Sequence, residues 1–291
     1  MIKRYLVALI VMAAAGCQSP APRVQISPEQ ARKLGLDLTG PVAPDGTDKL
    51  YLATPTTLMR HDPGNNRMEN LLNDPYPNIR DVAVTPGGTV LVLRPRELAL
   101  YMAGYLVTLY RLPGEATALS CDRDFAYVLT DRGQGARLLR IALTGTSKGS
   151  TKSILTTQDR PQALCAVRGG CLVASGGNII KVTDPVGGEQ GADSEVTTVL
   201  LVAMHEPVTS VAADQDRLIL YFATDDMTYA WLQGQILPVF PAGSRLAWAR
   251  DTLTICRPAK PDSQIVRIPN VSRHTNALLE EIAQSTRHKH P

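Results

Sequence analysis

Residues 82–93, VAVTPGGTVLVL, contain the pattern from which the fold of this 291-residue chain can be predicted. The stretch begins with an aliphatic residue followed by a small one, Val82 and Ala83. The sequence Thr-Pro-Gly-Gly at residues 85–88 comes next, and such residues supply the backbone angles that tight turns require. A run of β-forming residues, 90–93, follows. The stretch therefore predicts a β-hairpin whose first strand carries a small side chain.

The same pattern recurs along the chain at intervals of 35 to 47 residues. The pairs of an aliphatic and a small residue are Val42-Ala43, Val82-Ala83, Leu119-Ser120, Leu164-Cys165, Val211-Ala212 and Leu246-Ala247. A proline lies a few residues before each of the last five pairs, and a β-rich run follows every pair. Repetition at such a period is typical of repeat architectures.

Each unit continues with a third β-rich run, such as residues 98–101, and most units have a fourth, such as residues 196–202. Four short strands about every 40 residues are typical of β-propeller blades. The sequence therefore predicts an all-β fold, a six-bladed β-propeller of four-stranded blades over residues 36–270. A pair of β-sandwiches would also contain many short strands. A ring of five or seven blades is the alternative if the ends of this segment contain one repeat unit fewer or one more.

The small residue of each pair fits the centre of such a ring. The innermost strands crowd around a central channel, so small side chains are needed where neighbouring blades converge. This predicts that Ala43, Ala83, Ser120, Cys165, Ala212 and Ala247 face the channel. The prolines are expected at the connections between blades, outside the hydrogen-bond ladders.

Ring closure is expected to involve the N-terminal segment. The sixth unit has three clear strands and no convincing fourth, and an open edge strand is a liability that proteins avoid. Residues 23–26 are the candidate for the missing outermost strand. A short helix follows, in which Ser27 caps the N-terminus, Pro28 occupies the first turn and Gln30 completes a capping box. Gly35 ends it. In the alternative, residues 18–35 form only a tether and the C-terminal tail packs there.

The C-terminal tail, residues 271–291, is the other predicted helical segment. Residues 272–285 have Leu278, Leu279 and Ile282 on one face, and a basic end, residues 287–290, follows. Basic residues suit the negative C-terminal end of a helix. We expect this helix to dock beneath the propeller, or the terminus to fray, whereas a helix that binds a partner or a membrane surface is the alternative.

The N-terminus predicts export and lipidation. A short basic segment precedes an apolar run, residues 5–15, which is too short to span a bilayer. The run ends in Ala14-Ala15-Gly16-Cys17, which resembles the lipobox of bacterial lipoproteins. The resemblance implies that residues 1–16 are a signal peptide and that Cys17 is lipidated; an ordinary signal peptide is the alternative. Because Gln18 is not Asp, the family's sorting rule implies an outer-membrane lipoprotein, expected on the periplasmic face.

Composition excludes some classes of partner and cofactor. The formal net charge of +3 is spread along the chain, and aromatic residues make up only 5% of it, so no nucleic-acid surface is predicted. The four cysteines after Cys17 are Cys121, Cys165, Cys171 and Cys256. We interpret them as buried free thiols, although Cys165 and Cys171 are close enough in sequence for one oxidised pair.

No catalytic, cofactor or metal residue is predicted. The chain has no Cys-x-x-Cys, no nucleophile elbow of the form Gly-x-Ser-x-Gly, and no His-x-x-x-His on a predicted helix. A propeller hydrolase or lactonase, with a metal ion held around the channel, is the alternative function. The polar residues predicted near the channel end are Asn78, Arg80, Asp81, Arg160, Gln162, Glu206 and Arg245. That set is rich in arginine and poor in carboxylates, so it does not suit a divalent cation.

Recognition of a partner is therefore the favoured function. Five arginines are the candidate partner-binding residues, because they are predicted to gather on one face and arginine reads carboxylates well: Arg80, Arg96, Arg132, Arg160 and Arg245. The pattern of residues 36–270 resembles the six-bladed propellers of bacterial envelope proteins, broadly the NHL-like and TolB-like groups. The resemblance implies scaffolding or recognition at the envelope. Together with the lipobox, it predicts a membrane-anchored scaffold, tethered through residues 17–35, for protein interaction or ligand recognition, and we expect another envelope protein as the partner.

Overall fold

The computed structural model describes residues 23–33, 40–45, 47–73, 77–184, 195–214, 219–232, 234–241, 243–257, 264–273, 275–277 and 279–280. The predicted signal peptide, Cys17 and Gly35 lie outside these residues. Among the helices of the described segments, none is long and apolar enough to cross a membrane.

The described residues form six antiparallel sheets of four strands each, arranged as the blades of a propeller. Blade one contains β2 (Val42–Pro44), β3 (Leu50–Ala53), β4 (Leu58–Asp62) and β5 (Arg67–Asn70). Blade two contains β6 (Asp81–Val84), β7 (Val90–Arg94), β8 (Glu97–Met102) and β9 (Tyr105–Arg111). Blade three contains β10 (Glu115–Cys121), β11 (Phe125–Asp131), β12 (Ala136–Ala142) and β13 (Thr151–Thr157).

The second half of the ring repeats this arrangement. Blade four contains β14 (Ala163–Val167), β15 (Gly170–Ser175), β16 (Asn178–Thr183) and β17 (Thr197–Ala203). Blade five contains β18 (Ser210–Asp214), β19 (Ile219–Ala223), β20 (Met227–Leu232) and β21 (Gln235–Pro241). Blade six contains β22 (Arg245–Ala249), β23 (Thr252–Arg257), β24 (Gln264–Pro269) and the N-terminal strand β1 (Arg23–Ile26). The predicted fold class is confirmed.

The ring closes through the two ends of the chain. Strand β1 pairs antiparallel with β24, with Val24 opposite Val266 and Ile26 opposite Ile265. The short helix α1 (Pro28–Lys33) follows β1. Its capping box forms as predicted: the Ser27 backbone N–H donates to Gln30 Oε1 at 2.8 Å, and the Gln30 backbone N–H donates to Ser27 Oγ at 3.2 Å. The N-terminal segment is therefore part of blade six.

The hydrophobic core lies between blades. One apolar cluster combines Ala83, Leu91 and Leu93 of blade two with Leu119 and Val128 of blade three, and other clusters span neighbouring blades in the same way. All six predicted pairs of an aliphatic and a small residue lie in the innermost strands. Each blade therefore needs its neighbour to bury its apolar face, as expected of a repeat fold.

The helical residues of the tail, within 271–280, pack against blades five and six. Val271 and Ser272 are fully buried, and Leu279 packs on the cluster that contains Tyr221 and Leu253. The Asp251 carboxylate accepts the Ser272 backbone N–H at 3.0 Å, and Thr275 Oγ1 lies 3.0 Å from the Tyr221 hydroxyl. This part of the tail is therefore the docked helix that we expected, and it begins at residue 271.

Candidate functional site: the central channel

The innermost strands β2, β6, β10, β14, β18 and β22 surround a cavity of about 150 Å³ on the axis of the ring. All six predicted small residues line it: Ala43, Ala83, Ser120, Cys165, Ala212 and Ala247. Their size explains why the cavity stays open in a ring of only six blades. The channel is therefore a space in which a small ligand could be held.

Polar side chains join the innermost strands of successive blades. Asp81 Oδ2 accepts the backbone N–H of Leu119 at 2.8 Å, which links blade two to blade three. Ser120 Oγ accepts the N–H of Ala166 at 2.8 Å, and Ser210 Oγ accepts the N–H of Leu246 at 2.9 Å. These bonds link blade three to four and blade five to six. They satisfy buried backbone donors that the strand ladders leave free.

Asp81 is the buried carboxylate of the channel wall. Its Oδ1 accepts the N–H of Val82 at 2.9 Å, so each carboxylate oxygen has a backbone partner. Burial raises the pKa of Asp81 above its usual range, and the charge of Arg245 together with the two backbone N–H groups opposes that rise. Asp81 therefore serves the ring as a hydrogen-bond acceptor.

Arg245 is the cation of the channel wall. It is the first residue of β22, it is half-buried, and it lines the same cavity as Asp81. No described carboxylate lies within ion-pair distance of its guanidinium. Arg245 therefore carries a positive charge into the channel without an ion-pair partner among the described residues.

Two thiols, Cys121 and Cys165, also line the channel. All four cysteines of the described segments are free, as expected. Cys171 and Cys256 are buried, whereas Cys121 and Cys165 are only half-buried, so the expectation of four buried thiols is wrong for these two. Burial raises the pKa of Cys165 to about 12, although a hydrogen bond from the Ala213 backbone lowers it. Burial likewise raises the pKa of Cys121 and of Cys171. Thiols that stay protonated are poor nucleophiles, so the channel offers no activated cysteine.

The rest of the predicted polar set lies outside the channel. Asn78, Arg80, Gln162 and Glu206 are exposed, and Asn78 has a left-handed backbone with φ of 46°. Arg160 is exposed and donates to the carbonyl of Gly133 at 3.1 Å. The structure thus brings only Asp81 and Arg245 of this set into the channel wall.

All five candidate arginines lie at one end of the ring, which we call the entry rim. It is the end at which the innermost strands begin, and it contains the connections between blades and the turns between second and third strands. Arg80 lies beside blade two, where its N–H donates to the Leu93 carbonyl, and Arg96 lies in the β7–β8 turn. Arg132 lies in the β11–β12 turn, which Arg160 contacts through Gly133. Arg245 stands apart at the channel. Partner binding by these residues stays a prediction.

Sequence reasoning missed the hydrogen bonds between blades. A signal for them exists, because Asp81 and Ser210 both immediately precede the aliphatic residue of a repeated pair. A buried polar residue at a fixed place in a repeat indicates a fixed hydrogen-bond partner. Within the described residues, no group of three or more His, Cys, Asp or Glu side chains is arranged to hold a metal ion.

Comparison with known proteins places the fold. No family model and no curated protein matches the chain. A gluconolactonase from Xanthomonas campestris superposes with a TM-score of 0.62 at 15% identity, covering 87% of this chain and 96% of that one. Regucalcin, a calcium-binding protein from Agrobacterium tumefaciens, gives 0.59 at 10% identity over 84% and 92% of the two chains. A virginiamycin B lyase from Staphylococcus aureus gives 0.52 at 11% identity over 79% and 94%. Identities this low indicate a shared fold.

Proposed function

We propose that this protein is a lipid-anchored lipoprotein of the bacterial outer membrane, facing the periplasm, and that its propeller recognises another envelope protein without catalysis. The observation that carries the recognition role is the placement of Arg80, Arg96, Arg132 and Arg160 on connected turns of the entry rim. Arginine in such turns offers several donors to carboxylates of a partner. Hydrogen bonds of Asp81, Ser120 and Ser210 between neighbouring blades help to hold those turns in fixed positions.

The anchoring role rests on the lipobox-like sequence that ends at Cys17. Only residues 18–22 separate that cysteine from β1, which is paired into blade six. Five residues of extended chain span at most about 18 Å. A lipid on Cys17 would therefore hold the ring close to the membrane surface.

A membrane-fractionation experiment tests the anchor. We expect the wild-type chain in the membrane fraction and the Cys17→Ser variant in the soluble periplasmic fraction, with the same melting temperature. If the Cys17→Ser variant stays on membranes, lipidation of Cys17 is not the anchor.

Cross-linking in cells tests the recognition role. We expect an envelope protein to be captured by the wild type and lost with Arg132→Glu and Arg96→Glu. Arg168→Glu is the matched control, because Arg168 is exposed in the β14–β15 turn at the opposite end of the ring. Equal capture by all variants, or capture of nothing above background, contradicts the proposal.

The similarity in fold to a gluconolactonase keeps a propeller hydrolase as the alternative. The channel wall offers one buried carboxylate, Asp81, with both oxygens already hydrogen-bonded. A thermal-shift assay separates the two functions: a large rise in melting temperature with Ca²⁺, reversed by EDTA, would support the hydrolase and contradict the scaffold.

A further inference from the structure

Arg245 combines two properties that set it apart from the other arginines of the entry rim. Arg80, Arg96, Arg132 and Arg160 are exposed, so water solvates their charges. Arg245 is half-buried in the wall of the central cavity and has no ion pair with a described carboxylate. The Arg245 guanidinium is thus positioned to donate hydrogen bonds to an anion that enters the cavity.

Asp81 does not occupy the hydrogen-bond donors of Arg245. It lies in the same channel wall, and the charge of Arg245 acts on it, but the two side chains do not form an ion pair within 4.0 Å. Both oxygens of Asp81 are engaged by the backbone N–H groups of Val82 and Leu119. The Asp81 carboxylate therefore already accepts hydrogen bonds that connect blades two and three. The donors of the Arg245 guanidinium remain available to a ligand.

The walls around Arg245 define the size of that ligand. The cavity of about 150 Å³ corresponds to roughly five water molecules at their share of liquid volume. Apart from Asp81, Ser120, Ser210, the two thiols and Arg245, the channel side chains are mainly those of alanine, valine and leucine. A planar guanidinium binds a carboxylate through two parallel hydrogen bonds, and small apolar walls suit a short hydrocarbon.

The geometry points to a small organic carboxylate as a ligand of the central channel, bound by Arg245. This site depends neither on lipidation of Cys17 nor on a protein partner at the entry rim. If no carboxylate binds, the proposed anchoring and partner recognition are therefore unaffected. If either of those fails, the carboxylate site is likewise unaffected.

Calorimetry on the full chain, purified in neutral detergent, tests the site. Sodium acetate and sodium lactate are the probes, and sodium phosphate and sodium chloride at equal ionic strength are the comparisons. We expect saturable binding of at least one carboxylate, with weaker binding of phosphate and none of chloride. No saturable binding of either carboxylate, or tighter binding of phosphate, overturns the inference.

Substitutions then assign the binding to Arg245. We expect Arg245→Gln to weaken carboxylate binding about tenfold or more, since hydrogen bonds to charged groups contribute that much. Arg245→Lys should retain part of the affinity, because the charge remains while the two-bond geometry is lost. Arg168→Gln is the matched control, an exposed arginine of the β14–β15 turn that does not line the cavity. Wild-type affinity in Arg245→Gln overturns the inference.

Tryptophan fluorescence and the melting temperature together distinguish loss of binding from misfolding of the variant. Trp248 lines the cavity, and the other tryptophan, Trp231, does not. In a Trp231→Phe background, carboxylate should change the Trp248 fluorescence saturably, and Arg245→Gln should remove the change while leaving the melting temperature close to the parent's. A saturable change that persists in a folded Arg245→Gln protein contradicts the assignment.

Discussion

Asp81 Oδ2 accepts the backbone N–H of Leu119 at 2.8 Å, across the boundary between blade two and blade three. The other oxygen of the same carboxylate accepts the N–H of the adjacent Val82. One side chain at the start of β6 thus connects two neighbouring innermost strands, β6 and β10. A carboxylate suits this position because each of the two backbone N–H groups needs its own acceptor oxygen.

Asp81→Asn should destabilise the protein by about 1–3 kcal/mol, because an amide has one acceptor oxygen and its NH₂ would face a buried backbone donor. Urea denaturation would measure the change in the free energy of unfolding. The control is Asp159→Asn, an exposed carboxylate, for which a change within about 0.5 kcal/mol is expected. Equal stability of the two variants would show that the Asp81 bonds contribute nothing to the ring.

The pH dependence of stability should carry the signature of Asp81. Because burial raises its pKa in the folded state, the folded protein binds a proton more tightly than the unfolded chain does. The wild type should therefore lose stability relative to Asp81→Asn as pH rises from the unfolded pKa, near 3.8, through the folded pKa. Denaturation of both proteins across that range would measure the difference, and a constant difference would contradict it.

Arg245 should influence the same titration. Its positive charge lowers the pKa of Asp81, so Arg245→Gln should raise the pKa further. An NMR titration of the Asp81 side-chain carboxyl carbon in the two proteins would measure the shift. An unchanged pKa would mean that the two side chains do not interact across the channel.

The thiols of the folded protein should react slowly. Burial raises the pKa of Cys165 and of Cys256 to about 12, so almost no thiolate exists near pH 8. We expect Ellman's reagent to modify Cys121, Cys165, Cys171 and Cys256 only after urea is added. Rapid labelling of Cys165 in the native state would show that the channel admits the reagent and activates the thiol.

Ile26→Ala should cost about 2–4 kcal/mol of stability, because Ile26 on β1 is almost fully buried where blade six packs against blade one. Ile236→Ala is the control, since Ile236 lies on the outermost strand of blade five and is 39% exposed. A loss for Ile26→Ala no larger than for Ile236→Ala would contradict a structural role for β1 in closure.

The repeat made the blades predictable from sequence. A pair such as Val82-Ala83 followed by a turn depends on local turn chemistry and on crowding at the axis, and both are visible in the residues themselves. The closing strand, residues 23–26, could be predicted because the sixth repeat unit has no convincing fourth strand of its own. The partners of Asp81 and Ser210 could not, because a hydrogen bond to the next blade depends on how two distant strands are juxtaposed. For the same reason, the sequence could not predict that Arg245 lines the channel without an ion-pair partner among the described residues.

The pairing of β1 with β24 also sets an order for assembly. Blade six contains the first and the last strand of the described chain, so it cannot be completed until β24 has been made. Bringing the ends together requires closure of the longest loop in the molecule, which is slow compared with forming the hairpins of blades one to five. The ring should therefore form last, and until it does, β24 presents an open edge to any extended segment it meets.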